Sequence, residues 1–172
     1  EDLAIHSLLI VRNGMLIAEK YWPPYSADTP YALYSCTKSF ISALVGVALE
    51  EGFISSIEHP LVDFFPDLQI MDDSGLKADI TLEDVLKMQA GLDWKEGMPA
   101  YIGLSMAPDA MGYMLDLPMA SPPGEAFHYC SGCTHLLSGV LQEATGKDTQ
   151  DYAKERLLTP LGIENFIWEE DR

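Results

Sequence analysis

Tyr34-Ser35-Cys36-Thr37-Lys38-Ser39-Phe40 places a hydroxyl and an amine three residues apart at the entrance to an apolar helix. Residues i and i+3 share a helix face, so Ser35 Oγ and Lys38 Nζ can meet. The backbone N–H groups of the first helical turn lie nearby, free to hold a negatively charged oxygen. An unaided hydroxyl is a poor nucleophile at neutral pH, and an adjacent base is the usual remedy; serine with lysine is one such pairing. The string S-x-x-K is weak by itself, since a serine before a helix is more often an N-cap. From Lys38 to Glu51 the chain is apolar on nearly every side, which predicts a buried helix, ended by Gly52, that carries Ser35 on a rigid support.

Upstream, His6 to Arg12 and Met15 to Trp22 are apolar runs divided by Asn13-Gly14. Asn-Gly between two such runs is the strongest short hairpin signal, because both central residues of a type I′ turn need positive φ. A two-stranded hairpin is marginal by itself, so a larger sheet is expected, yet few further strands are in sight. Pro23-Pro24 ends the second strand, and a loop from Tyr25 to Pro30 leads towards Ser35.

Downstream, Ile54 to Gly75 reads as loops with at most a helical turn around Leu61 to Phe65. Thr81 is placed to N-cap a helix that runs to about Gln89 and stops at Ala90-Gly91. Residues 93 to 122 mix Met and aromatic residues with Gly and Pro; they suggest a short helix from Pro108 to Leu115 and adaptable core, or a hydrophobic substrate groove. The segment Pro122 to Gly132 reads as a turn feeding a short extended piece. His135 to Thr145 forms a helix with Leu136, Leu137, Val140 and Leu141 on one face, and Asp148 to Leu158 forms another.

The 172 residues, 48% hydrophobic, suffice for one domain with a real core. A formal charge of −17 opposes attraction to nucleic acid or anionic lipid, so neither partner is expected. No run reaches the ~18 apolar residues that span a bilayer. The chain begins Glu1-Asp2-Leu3, without Met or an export signal, and ends Glu170-Asp171-Arg172 directly after an apolar segment; both ends read as interruptions. Cys36, Cys130 and Cys133 are odd in number, which excludes a complete disulfide framework and leaves the redox compartment open.

His128-x-Cys130-x-x-Cys133-x-His135 is a competing motif: two thiols and two imidazoles admit a zinc site, and C-x-x-C a redox pair. Four ligands from one short turn strain a tetrahedron, and a redox motif lacks its strand-turn-helix setting here. The plain alternative is buried small cysteines with solvated histidines.

Taken together, Ser35-Cys36-Thr37-Lys38 after a hairpin, Tyr129-Cys130-Ser131 after Pro123-Gly124-Glu125, Leu86 to Leu92 followed by Trp94, and Pro160-Leu161-Gly162 after a helix resemble the serine β-lactamase and penicillin-binding protein superfamily, in particular its class C-like branch. The resemblance runs through nearly all of the chain. It implies an α+β fold of the β-lactamase/transpeptidase type, present as an N-terminal portion: residues 1–34 a hairpin and loop, residues 35–172 the nucleophile helix and a helical subdomain. The family's third motif, Lys-Thr-Gly or His-x-Gly on a returning strand, is absent after residue 131, as are the C-terminal sheet strands.

By the same resemblance Ser35 is the nucleophile of an acyl-enzyme, Lys38 its base and Tyr129 a proton relay to the leaving group, on a small-molecule amide or ester such as a β-lactam, a D-Ala peptide or a carboxylic ester. No cofactor or metal is implied. Moving an amine from ~10.4 to near 7 costs about 4 kcal/mol, which burial and a neighbouring cation supply. Ser131 stands where the family has Asn and is the expected substrate-binding residue, although it has no amide to bridge lysine and substrate. A family-like scaffold that binds acyl peptides without turnover is the non-catalytic alternative.

Overall fold

In a computed structural model, residues 5–169 are described. Residues 1–4 and 170–172, on which the reading of the chain ends rests, lie outside them. Two compact units emerge, one within Glu1–Ala32 and Asn165–Ile167, the other within Leu33–Glu164 and Trp168–Arg172.

The first unit is the hairpin. Strand β1 (Ser7–Arg12) pairs antiparallel with β2 (Met15–Tyr21), from Ser7 opposite Tyr21 to Arg12 opposite Met15, with a bulge between Ile10 and Val11. Asn13 and Gly14 have φ of 51° and 75°, the two positive values that a type I′ turn needs. Among the described residues β1 and β2 form a two-stranded sheet, so the larger sheet expected from the apolar strands is not found there.

The second unit is helical. Helix α1 (Thr37–Glu50) buries Ile41, Leu44, Val45 and Ala48 and packs against α5 (Ser131–Thr145), which buries Leu136, Leu137, Val140 and Leu141. The i, i+3, i+4, i+7 spacing in α1 puts its four residues on one stripe. Each leucine so buried stabilises the fold by roughly 1.5–3 kcal/mol. The expectation that α1 is buried on nearly every side fails: Ser39, Ser42, Ala43 and Gly46 are exposed, because its packing partners lie along the Ile41–Ala48 stripe. At its far end Glu51 accepts a hydrogen bond from Tyr152 Oη (2.9 Å) and pairs with Arg156 Nε (3.0 Å). These come from α6 (Thr149–Ala153) and from the π-helical turn Lys154–Leu158 that continues it.

Helix α2 (Leu82–Leu86) begins with a capping box: Thr81 Oγ1 accepts from the Asp84 N–H, and the Asp84 carboxylate accepts from the Thr81 N–H. It stops short of Gln89 because Met88 turns left-handed at φ 60°. Residues 88–93 then run beside 118–128: the Met88 carbonyl accepts from the His128 N–H (2.8 Å), the Gln89 carbonyl from Gly124 (2.9 Å), and the Pro118 carbonyl from Asp93 (2.8 Å). That pairing delivers Tyr129 to the start of α5.

Two further expectations are corrected. The region 93–122 holds not one helix but two, α3 (Met98–Met106) and α4 (Ala110–Leu115). Of the Met and aromatic residues there, Trp94 and Met114 are buried, while Met98 and Met106 face solvent. Helix α5 starts at Ser131 instead of His135, with Cys130 as its N-cap, so the expected extended piece ends earlier.

Candidate active site

Ser35 sits in a 3-10 turn, Tyr34–Cys36, that leads directly into α1. Tyr34 adopts φ 45°, a left-handed conformation that costs a non-glycine residue about 1–2 kcal/mol. Strain of this kind is found where a side chain must be presented in a fixed direction. Neither Leu33 nor Cys36, the residues at the cap positions of this turn and of α1, makes a side-chain cap, so Ser35 is not held as an ordinary N-cap serine. The N–H donors expected to be free beside it are partly occupied: that of Cys36 bonds the Leu33 carbonyl at 3.0 Å, and that of Thr37 turns back onto the 3-10 turn.

Three side chains named from the sequence converge. Lys38 Nζ donates to Ser35 Oγ at 3.2 Å, and Tyr129 Oη donates to the same oxygen at 2.8 Å across 94 residues of chain. Lys38 Nζ also lies 5.0 Å from the centre of the Tyr129 ring. Ser35 is exposed and Tyr129 is 39% exposed, so a substrate can reach the oxygen that both touch. The hydrogen bond that the Ser35 hydroxyl can give to the phenolate, then that from Lys38, hold the Tyr129 phenol below its ordinary value of 10.0; burial opposes them, the positive charge of Lys38 assists, and the charge of Glu96 opposes.

Ser131 goes elsewhere. Its hydroxyl donates to Glu96 Oε1 at 2.6 Å and its backbone N–H to Glu96 Oε2 at 3.1 Å. Trp94 Nε1 donates to Glu96 Oε2, and Tyr101 Oη to Glu96 Oε1. Burial pushes the Glu96 carboxyl up, but the hydrogen bonds from Ser131, Tyr101 and Trp94 together hold it down at about 2. Glu96 was not singled out from the sequence. Its signal is slight: it is the last charged residue before Asp109, at the edge of an uncharged stretch.

The first turn of α5 is packed tightly. A Cβ on Gly132 would stand 2.3 Å from Met114 Sδ and 2.9 Å from the Trp94 ring, so only glycine fits beside Ser131. Cys130 and Cys133 are joined in a disulfide, and both are buried. Their sulfurs are thus bonded to each other, which takes away the two thiolates that the zinc reading requires, and His128 Nε2 lies against the Trp94 carbonyl instead. The C-x-x-C does occupy the N-cap and first turn of a helix, a setting that the sequence did not reveal. Among the described residues no helix is long and apolar enough to cross a membrane.

Several known proteins resemble this chain. LipL of Mycobacterium tuberculosis, an esterase/β-lactamase, is 27% identical over 151 residues, covering 84% of this chain and 32% of that protein. The 6-aminohexanoate-dimer hydrolase of Paenarthrobacter ureafaciens is 24% identical over 169 residues, covering 85% and 40%. The chain therefore spans less than half the length of these relatives. A penicillin-binding protein homologue from Pyrococcus abyssi superposes with a TM-score of 0.72 at 20% identity, over 92% of this chain and 39% of that one, and so shares its fold. With a hairpin leading to a Ser-x-x-Lys helix, a tyrosine brought back onto the serine, and the β-lactamase family model matching residues 6–172, this chain belongs to the β-lactamase family.

Proposed function

We propose that the protein is a serine hydrolase that forms an acyl-enzyme on Ser35 from a small amide or ester. What supports this reading most is one oxygen with two partners: Ser35 Oγ lies within hydrogen-bond reach of both Lys38 Nζ and Tyr129 Oη. Ser35 Oγ attacks the acyl carbonyl and its proton passes into the Lys38–Tyr129 pair, with Lys38 as base. Tyr129 returns that proton to the departing amine or alcohol as the C–N or C–O bond breaks. Water then attacks the acyl-enzyme, gives its proton to the same pair, and releases the carboxylic acid as Ser35 regains its hydrogen.

Ser131 is proposed to flank the acyl group. Its single hydroxyl proton faces Glu96, so it meets a substrate with lone pairs. Lys38→Ala and Tyr129→Phe in the full-length protein should each slow acylation by a fluorophosphonate or penicillin-type probe by about 10²- to 10⁴-fold, the contribution of a positioned acid or base. Lys38→Ala should slow deacylation as well. A wild-type rate in either variant contradicts the assignment.

A further inference from the structure

We propose that Glu96 is the positioning residue of this site: it pins the first residue of α5 and thereby holds Tyr129 against Ser35. The inference rests on the reading of Tyr129 given above. A carboxylate has about four lone-pair positions, and those of Glu96 are filled by four neutral donors: the Ser131 N–H and hydroxyl, the Trp94 indole and the Tyr101 phenol. No position remains for a substrate, so Glu96 acts through its neighbours.

Two of the four donors belong to Ser131, two residues beyond Tyr129, and they leave that residue in two directions, one along the backbone and one along the side chain. Such a two-point hold fixes both the place and the orientation of the peptide that follows Tyr129 and Cys130. The other two donors anchor Glu96 itself, through the buried Trp94 and through Tyr101 on α3. Helix α3, which carries none of the proposed catalytic groups, is in this way tied to the site. Reactions of this type are sensitive to such placement, since a displacement of about 1 Å can cost 10²-fold in rate.

The charge of Glu96 has a second effect that a purely structural prop would lack. The groups that act on Tyr129 are Ser35 and Lys38, which lower its titration, and Glu96, which raises it; Tyr101 is also close enough for the two phenols to sense each other. Neutralising Glu96 therefore moves the Tyr129 titration to lower pH.

The test is Glu96→Gln in the full-length protein. The amide oxygen can still serve the Ser131 N–H and the Trp94 indole, but the NH2 group cannot accept from the Ser131 and Tyr101 hydroxyls, so both of those bonds must reverse. Acylation of Ser35 is expected to fall about 10- to 100-fold, and the limb of its pH–rate profile that reports Tyr129 is expected to move to lower pH. Wild-type rate and an unmoved profile, with Ser35→Ala unlabelled in parallel, would overturn the inference while leaving the nucleophile in place. Labelling that persists in Ser35→Ala would overturn the nucleophile and this inference together. Should Glu96→Gln not fold, Tyr101→Phe removes one donor at a side chain 39% exposed; acylation slowed about 2- to 5-fold is expected, as for one lost hydrogen bond, and an unchanged rate counts against the proposal.

Discussion

The hairpin and the helical unit use their apolar residues in opposite ways. In the hairpin Leu8, Leu9, Ile10, Val11, Met15, Leu16 and Ile17 are all exposed, although neighbours along a strand point to opposite faces. In the helical unit Leu44, Leu136 and Leu141 expose no surface at all. The first region is thus specified by turn chemistry and cross-strand pairing, the second by side-chain burial. The proposed nucleophile, base and relay, Ser35, Lys38 and Tyr129, all lie in the second, so the proposed site is built where positions are fixed by packing.

The largest expected effect lies in that core. Leu44→Ala leaves a cavity between α1 and α5 and should cost about 2–5 kcal/mol in urea or thermal unfolding. An intermediate effect is expected for the Cys130–Cys133 disulfide, which closes a loop of only three residues in sequence separation. Its reduction should cost ~2 kcal/mol, near the low end for such bonds. A much greater loss would mean that the first turn of α5 depends on the bond more than on Trp94, Met114 and Glu96. The smallest effect belongs to the hairpin: Val11→Ala, at a side chain 64% exposed, should change stability by less than about 0.5 kcal/mol. A cost equal to that of Leu44→Ala would break the comparison, because it would mean that the hairpin face is covered.

How far the sequence reveals this structure depends on the range of the interaction that decides each part. Asn13-Gly14 fixes the hairpin within two residues, and Ser35 with Lys38 needs only the geometry of one helical turn, so both can be read directly. Helix α3 escapes notice because Gly97 and Pro99 look like loop formers. They are in fact its N-cap and a residue of its first turn, where the missing proline N–H has no helical partner in any case. The start of α5 is misplaced by four residues because Cys130-Ser131-Gly132 has weak helix propensity. Packing of Gly132 on Met114 and Trp94, the disulfide and the bonds to Glu96 override it. Tyr129 meets Ser35 across 94 positions and is found only through the order of motifs shared with a family. Glu96 has neither a local pattern nor a motif, and only the folded chain shows what it holds.

Ser35 Oγ is proposed to be the atom that takes the acyl group. The most direct measurement is to treat the full-length protein with a fluorophosphonate, digest it and locate the added mass. An adduct on the peptide that carries Ser35, lost in Ser35→Ala, is the predicted result. An adduct on any other peptide, or one that survives the substitution, would contradict it.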